Sequence, residues 1–219
     1  MKKYCYLRRI IGMALGIIIL SLGLVLFKLS LMGNGPSTSM IIAIADRIAV
    51  DFGIVMVIFN CLFFAAEWIW GRELIGIGTF VNWFFVGPLA SLYERIIRSV
   101  LDVPEAFLPR LLLMAAGILV LSLAGALYQT ADVGISPYDS LSIIISRKTG
   151  RQYFWCRILT DGISVLTAWL LGGIVGIGTL ICAFGLGPFV QYFSNHLARP
   201  LIFGSNDVPN GKKDIQNKK

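Results

Sequence analysis

The chain has 219 residues, 57% hydrophobic and only 14% charged, with a formal net charge of +7 and a mean hydropathy of +0.79. Soluble domains run near 45–50% apolar and about 25% charged, so this composition excludes an ordinary soluble domain and makes lipid the natural solvent. The basic residues form rims, with Lys2, Lys3, Arg8 and Arg9 before the first apolar run and Lys212, Lys213, Lys218 and Lys219 at the end. Such rims set topology and touch anionic lipid; with no soluble basic domain behind them, nucleic acid is not an expected partner.

In chain order, six apolar runs stand out at 10–32, 53–70, 74–92, 111–130, 158–173 and 174–193. A bilayer crossing needs about 20 apolar residues, or 17 at the short end. Helix is the expected state for all six, because an open strand edge in lipid leaves backbone groups unsatisfied and barrel strands are only about 10 residues long. The first run has the basic flank of a secretory signal but is longer than a signal core, lacks a small-x-small cleavage site, and is expected to be retained. No lipidation motif is present. Two shorter segments, 37–50 and 138–148, follow Gly-Pro turns. Each reads as a helix with proline in its first turn, where the missing N–H costs nothing. Ser136 and Asp139 stand in a near capping-box arrangement. At about 1.5 Å per residue these two helices are roughly 16–20 Å long, so they are broken, re-entrant or interfacial. The stretch 99–110, with Pro104 and Pro109, reads as a linker, and the polar tail 204–219 as a disordered cytoplasmic segment.

The motifs recur about 100 residues apart. Gly33-Asn34-Gly35-Pro36-Ser37-Thr38-Ser39 returns as Gly134-Ile135-Ser136-Pro137-Tyr138-Asp139-Ser140, and Gly76-Ile77-Gly78-Thr79 with Gly87-Pro88 returns as Gly176-Ile177-Gly178-Thr179 with Gly187-Pro188. The predicted fold is therefore an all-α integral membrane protein. A single membrane domain, 1–203, is built of two tandem homologous repeats at about 10–98 and 111–197. Each repeat holds three long transmembrane helices and one short Pro-initiated helix. Six crossings divide the Lys and Arg residues 14 inside to 5 outside. Eight crossings divide them 17 to 2, with only Lys28 and Arg72 outside. Both counts put the N- and C-termini in the cytoplasm. Six makes the repeats inverted and eight makes them parallel; charge favours eight and helix length favours six.

Polar residues inside apolar runs are costly and mark function. They are Asn60, Glu67, Asn82, Gln129 and Asp161. Asn60 and Asp161 occupy matching repeat positions. Asp161 follows Arg157 by four residues, so an intrahelical pair competes with an unpaired, proton-coupling carboxyl. Glu67, one turn before Gly71-Arg72, reads as interfacial, and the tryptophans near span ends read as headgroup anchors. The helix starts after each Gly-Pro turn present free N–H groups that attract anionic or carbonyl groups. The candidate substrate-binding set is Gly35, Ser37, Ser39, Asn60, Ser136, Tyr138, Asp139 and Asp161. The alternative is that the turns only cap helices. Cys5, Cys61, Cys156 and Cys182 share no CxxC spacing and read as free thiols, and the single histidine, His196, has no ligand partners. No metal or cofactor is expected. Without hydrolytic motifs or paired catalytic carboxylates, an enzyme is not expected either.

Gly134-Ile135-Ser136-Pro137-Tyr138-Asp139, the Thr149-Gly150 step and Gly176-Ile177-Gly178-Thr179 together resemble the YczE/YyaS/YitT family of bacterial membrane proteins, YczE-like members most. In that family the turn often reads Gly-x-x-Pro-Trp/Tyr-Asp. The resemblance covers about residues 10–195 and implies a polytopic protein of the bacterial inner membrane with no settled activity. The first copy lacks the aromatic–Asp pair, so any role of Asp139 belongs to one copy.

These observations lead to a transporter-like or permease-like protein with a small-molecule or ion site at the repeat interface. The alternative is a non-transporting membrane scaffold or regulatory partner of another protein, with a homo-oligomer as one form of assembly. A polar pocket bordered by both Pro motifs favours the first, and a dry interior favours the second.

Overall fold

The computed structural model describes residues 2–100, 106–173 and 175–203. Helices account for nearly all of them. In order they are α1 (Lys2–Leu29), α2 (Pro36–Ile48), α3 (Phe52–Trp70), α4 (Ile77–Val100), α5 (Phe107–Ala131), α6 (Pro137–Thr149), α7 (Tyr153–Leu170), α8 (Ile177–Phe193) and α9 (Arg199–Phe203). A 3-10 turn, Arg72–Leu74, precedes α4, and a π-helical turn, Ser194–Ala198, joins α8 to α9. No strand occurs among the described residues. The tail expected at 204–219 and the centre of the expected linker lie outside them.

Four helical stretches are long and apolar enough to cross a membrane: Tyr6–Leu29, Phe52–Trp70, Phe107–Ala131 and Ile177–Phe203. The sequence pattern expects six. The other two, α4 and α7, have 24 and 18 residues, but α4 ends in Glu94, Arg95 and Arg98 and α7 carries Arg157 and Asp161 on one face. The two short helices form where the Gly-Pro turns predict them. Pro36 and Pro137 are each the first helical residue.

Small residues set the central packing. α1 and α5 run antiparallel in close contact. A Cβ on Gly16 would lie 2.8 Å from the Tyr128 nitrogen, one on Gly23 2.9 Å from the Leu121 nitrogen, and one on Gly117 2.7 Å from the Phe27 nitrogen. In lipid no hydrophobic force drives helices together, so such backbone approach supplies the van der Waals contact that holds them. α4 packs on α1, and α8 on α5. The chain leaves α1 and α5 by like turns. Leu31 and Asp132 have φ of 53° and 51°, and Gly33 and Gly134 have φ of 144° and 125°. Each turn docks on a distant helix start: Gly178 N donates to the Met32 carbonyl at 2.9 Å, and Gly78 N to the Val133 carbonyl at 2.8 Å.

Two ion pairs fix which helix ends lie together. Lys28, ending α1, binds Glu94 near the end of α4 at 2.8 Å; Arg9, near the start of α1, binds Asp132 just past α5 at 2.9 Å. Outside this central set, α2 packs on α7 and α3, and α6 packs on α3 and α7.

Candidate functional site

The polar site forms where α6 meets α7. Ser136 caps α6: its hydroxyl accepts from Asp139 N at 3.4 Å and donates to Asp139 Oδ2 at 2.9 Å. The carboxylate thus returns to the cap hydroxyl rather than to the cap N–H of a standard capping box. Pro137 starts the helix, so Tyr138 and Asp139 sit in its first turn. α7 presents Arg157, Thr160, Asp161 and Ser164. That spacing, i, i+3, i+4, i+7, lies on one helix face.

Asp161 holds the centre and is 0% exposed. It accepts from the Tyr138 hydroxyl at 2.6 Å and from Arg157 Nε at 3.0 Å. Arg157 Nη1 donates to Asp139 Oδ1, so one guanidinium bridges two carboxylates. The same guanidinium lies 5.2 Å over the Tyr138 ring. Ser164 Oγ is 3.2 Å from the Tyr138 hydroxyl. Ser142 and Thr160 hydroxyls meet at 2.8 Å, with Thr160 also donating to the Arg157 carbonyl at 3.0 Å. The intrahelical pairing of Arg157 with Asp161 is therefore present, and Asp161 is not an unpaired carboxyl.

The unpaired carboxyl is Glu67 in the last turn of α3. It is 0% exposed, and neither carboxyl oxygen has a hydrogen-bond partner among the described residues. Ser140 and Asp139 of α6 lie beside it, but the Ser140 hydroxyl donates to the Pro137 carbonyl at 2.7 Å. Glu67, expected near the interface from its place one turn before Gly71-Arg72, is buried within the protein. α3 turns this face onto α6, while its outward faces carry the exposed Trp68 and Trp70. Arg72 lies 4.8 Å over Trp68, and Lys148 lies 4.7 Å over Trp70.

Of the sequence-predicted set, the structure brings together Ser136, Tyr138, Asp139 and Asp161. Gly35, Ser37, Ser39 and Asn60 have no hydrogen bond to this cluster among the described residues. Gly35 caps α2 without a side chain, and the Ser39 hydroxyl donates to the Asn34 carbonyl at 3.4 Å. The two Gly-Pro turns follow the ends of the antiparallel α1 and α5, so the helix starts of α2 and α6 lie at opposite ends of that pair. No pocket bordered by both Pro motifs is found among the described residues. Ser142, Thr160 and Ser164 were not singled out from the sequence, although the polar i, i+3, i+4, i+7 pattern on α7 signals Thr160 and Ser164; Ser142 of α6 joins them only through the packing of α6 on α7. Asn82, noted for its cost in lipid, has a buried amide nitrogen with no partner among the described residues.

A polar cleft of about 260 Å³ opens beside Tyr6, Arg9, Glu73, Gly76, Asp132 and Gly134. It touches the turn before α6 but not the turn before α2. A second cleft of about 420 Å³, lined by Leu119, Pro188, Phe189, Tyr192 and Phe193, is apolar. Among the described residues no three His, Cys, Asp or Glu side chains stand close enough to hold a metal. Cys61, Cys156 and Cys182 are free thiols.

With both carboxylates ionised, the Asp139–Arg157–Asp161 triad carries one net negative charge. Buried charge is tolerated only when paired and hydrogen-bonded, so the arrangement can accept a proton or the cationic end of a ligand.

Residues 7–195 match the model of a family of unknown function, DUF6198. The chain belongs to this family. A member-like protein of Haemophilus influenzae, called only an uncharacterized protein, is 31% identical over 83% of this chain and 81% of its own length. Two Bacillus subtilis proteins are more distant. The uncharacterized membrane protein YczE is 23% identical over 81% of both chains, and the uncharacterized protein YyaS is 25% identical over 78% of this chain and 86% of its own. The YczE-like resemblance read from the turns thus holds, and this family member is a membrane protein. No solved structure matches it.

Proposed function

We propose that the protein is transporter-like or permease-like, with a small cationic or proton-coupled solute binding at the α6–α7 polar face. The observation that carries this reading is the buried Asp139–Arg157–Asp161 triad with Tyr138, in a chain only 14% charged. Ionisable groups kept inside a membrane bundle are costly and mark substrate or proton pathways.

We read the two halves, about 10–98 and 111–197, as inverted repeats related by an axis in the membrane plane, a common transporter plan. The reciprocal contacts support this. Gly16 meets Tyr128 while Gly117 meets Phe27, and Met32 receives Gly178 while Val133 receives Gly78. Six crossings follow, because Lys28 on Glu94 brings the ends of α1 and α4 to one face, and Arg9 on Asp132 brings the start of α1 beside the end of α5. Eight crossings would put each of those partners on opposite faces. In this reading both termini are cytoplasmic, and α2 and α6 serve the outer and inner faces of the bundle of a bacterial inner-membrane protein.

The scaffold reading has one observation in its favour. The triad is closed, and the polar cleft borders only one Gly-Pro turn. Reconstitution separates the two. Asp161→Asn is expected to abolish uptake or efflux in proteoliposomes while leaving the protein inserted and folded. Unchanged flux in that variant would remove the triad from transport.

A further inference from the structure

We propose that Glu67 is a proton-binding site at the contact of α3 with α6, distinct from the triad and facing it through Asp139. Glu67 is 0% exposed and neither oxygen has a donor among the described residues. A buried carboxylate without hydrogen bonds pays the full loss of hydration, whereas the neutral acid is far less costly to bury. The surroundings point the same way. From α6 come Asp139, an anion, and Ser140, whose hydroxyl proton is committed to the Pro137 carbonyl at 2.7 Å. α2 meets α3 through apolar side chains around Val55, Phe59 and Phe63, and α4 meets it through Phe80 and Trp83 on Phe64. Arg157 is committed to Asp139 and Asp161. No cation therefore reaches Glu67 directly.

A neutral Glu67 resolves both problems. Its charge no longer opposes Asp139, and the lone pair of Ser140 Oγ on the facing helix is free to accept an O–H. A metal ion is disfavoured, since hard cations need about six oxygens and among the described residues no three His, Cys, Asp or Glu side chains stand close enough to hold one. The proton is reached from the Asp139 side, where the carboxylate is 17% exposed. Any movement of α6 away from α3 opens Glu67 to that side. The site deepens the transport reading by naming the coupled ion, but its test does not rest on transport.

The test is infrared spectroscopy of the full chain in lipid, with carbon-13 in the glutamate carboxyls. The expected result is a label-shifted neutral-acid band near neutral pH that is absent in Glu67→Gln and retained in Asp161→Asn. Glu73 and Glu94 are surface ion-pair partners, and Glu105→Gln removes the remaining glutamate from the count. The wild-type spectrum decides even if Glu67→Gln fails to fold. Absence of the labelled band in wild type, or its survival in Glu67→Gln, overturns the proposal. A labelled band with no flux of any solute keeps the proton site and sinks only the transport reading.

Discussion

The contact of α7 with α8 and its counterpart, α3 with α4, follow the same sequence plan but are built differently. A Cβ on Gly187 of α8 would meet Phe154 at 3.1 Å and Arg157 at 3.7 Å, whereas nothing lies within 4 Å of the same point on Gly87 of α4. α7 buries Cys156, Arg157, Thr160, Asp161, Ser164 and Ala168; α3 buries only Val55 and Glu67. The cause lies in the sequence. Met56 and Asn60 stand where Arg157 and Asp161 stand a repeat later, and Met56 is 40% exposed against 9% for Arg157. A polar face drives α7 inward, because lipid will not solvate it. The apolar α3 has no such reason to leave lipid. The α7–α8 contact is thus closed and charged, and the α3–α4 contact open and largely apolar.

The largest effect should come from breaking the triad. Arg157→Met leaves two carboxylates without their cation, and loss of one partner of a buried pair costs about 3–5 kcal/mol. The expected outcome is a large drop in thermal stability in detergent. Met56→Ala, the matching change in the first half, should shift it little, within about 0.5 kcal/mol for a site away from special features. Equal losses would erase the contrast between halves.

Steric filling should give the next effect. Gly187→Leu drives a side chain into Phe154 and should destabilise by about 1–3 kcal/mol, as overpacking does. Gly87→Leu meets open space and should be near neutral by the same melt. A costly Gly87→Leu would mean that α3 closes onto α4 in the membrane.

The smallest effect tests what the halves share. Thr179 Oγ1 accepts from Asn34 N at 3.2 Å, and Thr79 Oγ1 from Gly76 N at 3.2 Å. Replacing Thr179 by valine removes one neutral hydrogen bond, worth about 1 kcal/mol; replacing Thr79 also removes a long bond to the Leu74 carbonyl at 3.5 Å, so its loss should be equal or slightly larger. A marked difference would show that the two turns do not carry like loads.

Much of this was legible before any coordinates. The short helices begin at Pro36 and Pro137 because proline in the first turn is a local signal. Gly78 and Gly178 recur as close-packing positions because small residues are what lipid-embedded interfaces need, whereas the α1–α5 glycines 16, 23 and 117 show their part only in the packing. Asp161 stood out by its cost in an apolar run. What stayed hidden depends on which way a helix face turns. Glu67 looked interfacial because tryptophans and Arg72 follow it, and only the packing of α6 on α3 reveals a sealed carboxyl. Asn60 matched Asp161 in register but not in surroundings, since Phe59 and Phe63 flank it where Thr160 and Ser164 flank its counterpart. Charge counting favours eight crossings with Arg98 inside, whereas the proposed six-crossing arrangement puts Arg98 outside with Lys28, where both pair with Glu94.

The proposed inverted arrangement sends the two halves into the bilayer in opposite senses. Arg47 and Lys148 hold matching places at the ends of α2 and α6, and both are exposed. In a background without the native cysteines, Arg47→Cys should react with a membrane-impermeant thiol reagent added outside intact cells. Lys148→Cys should react only after permeabilisation. Labelling of both from the same side would contradict the inverted arrangement.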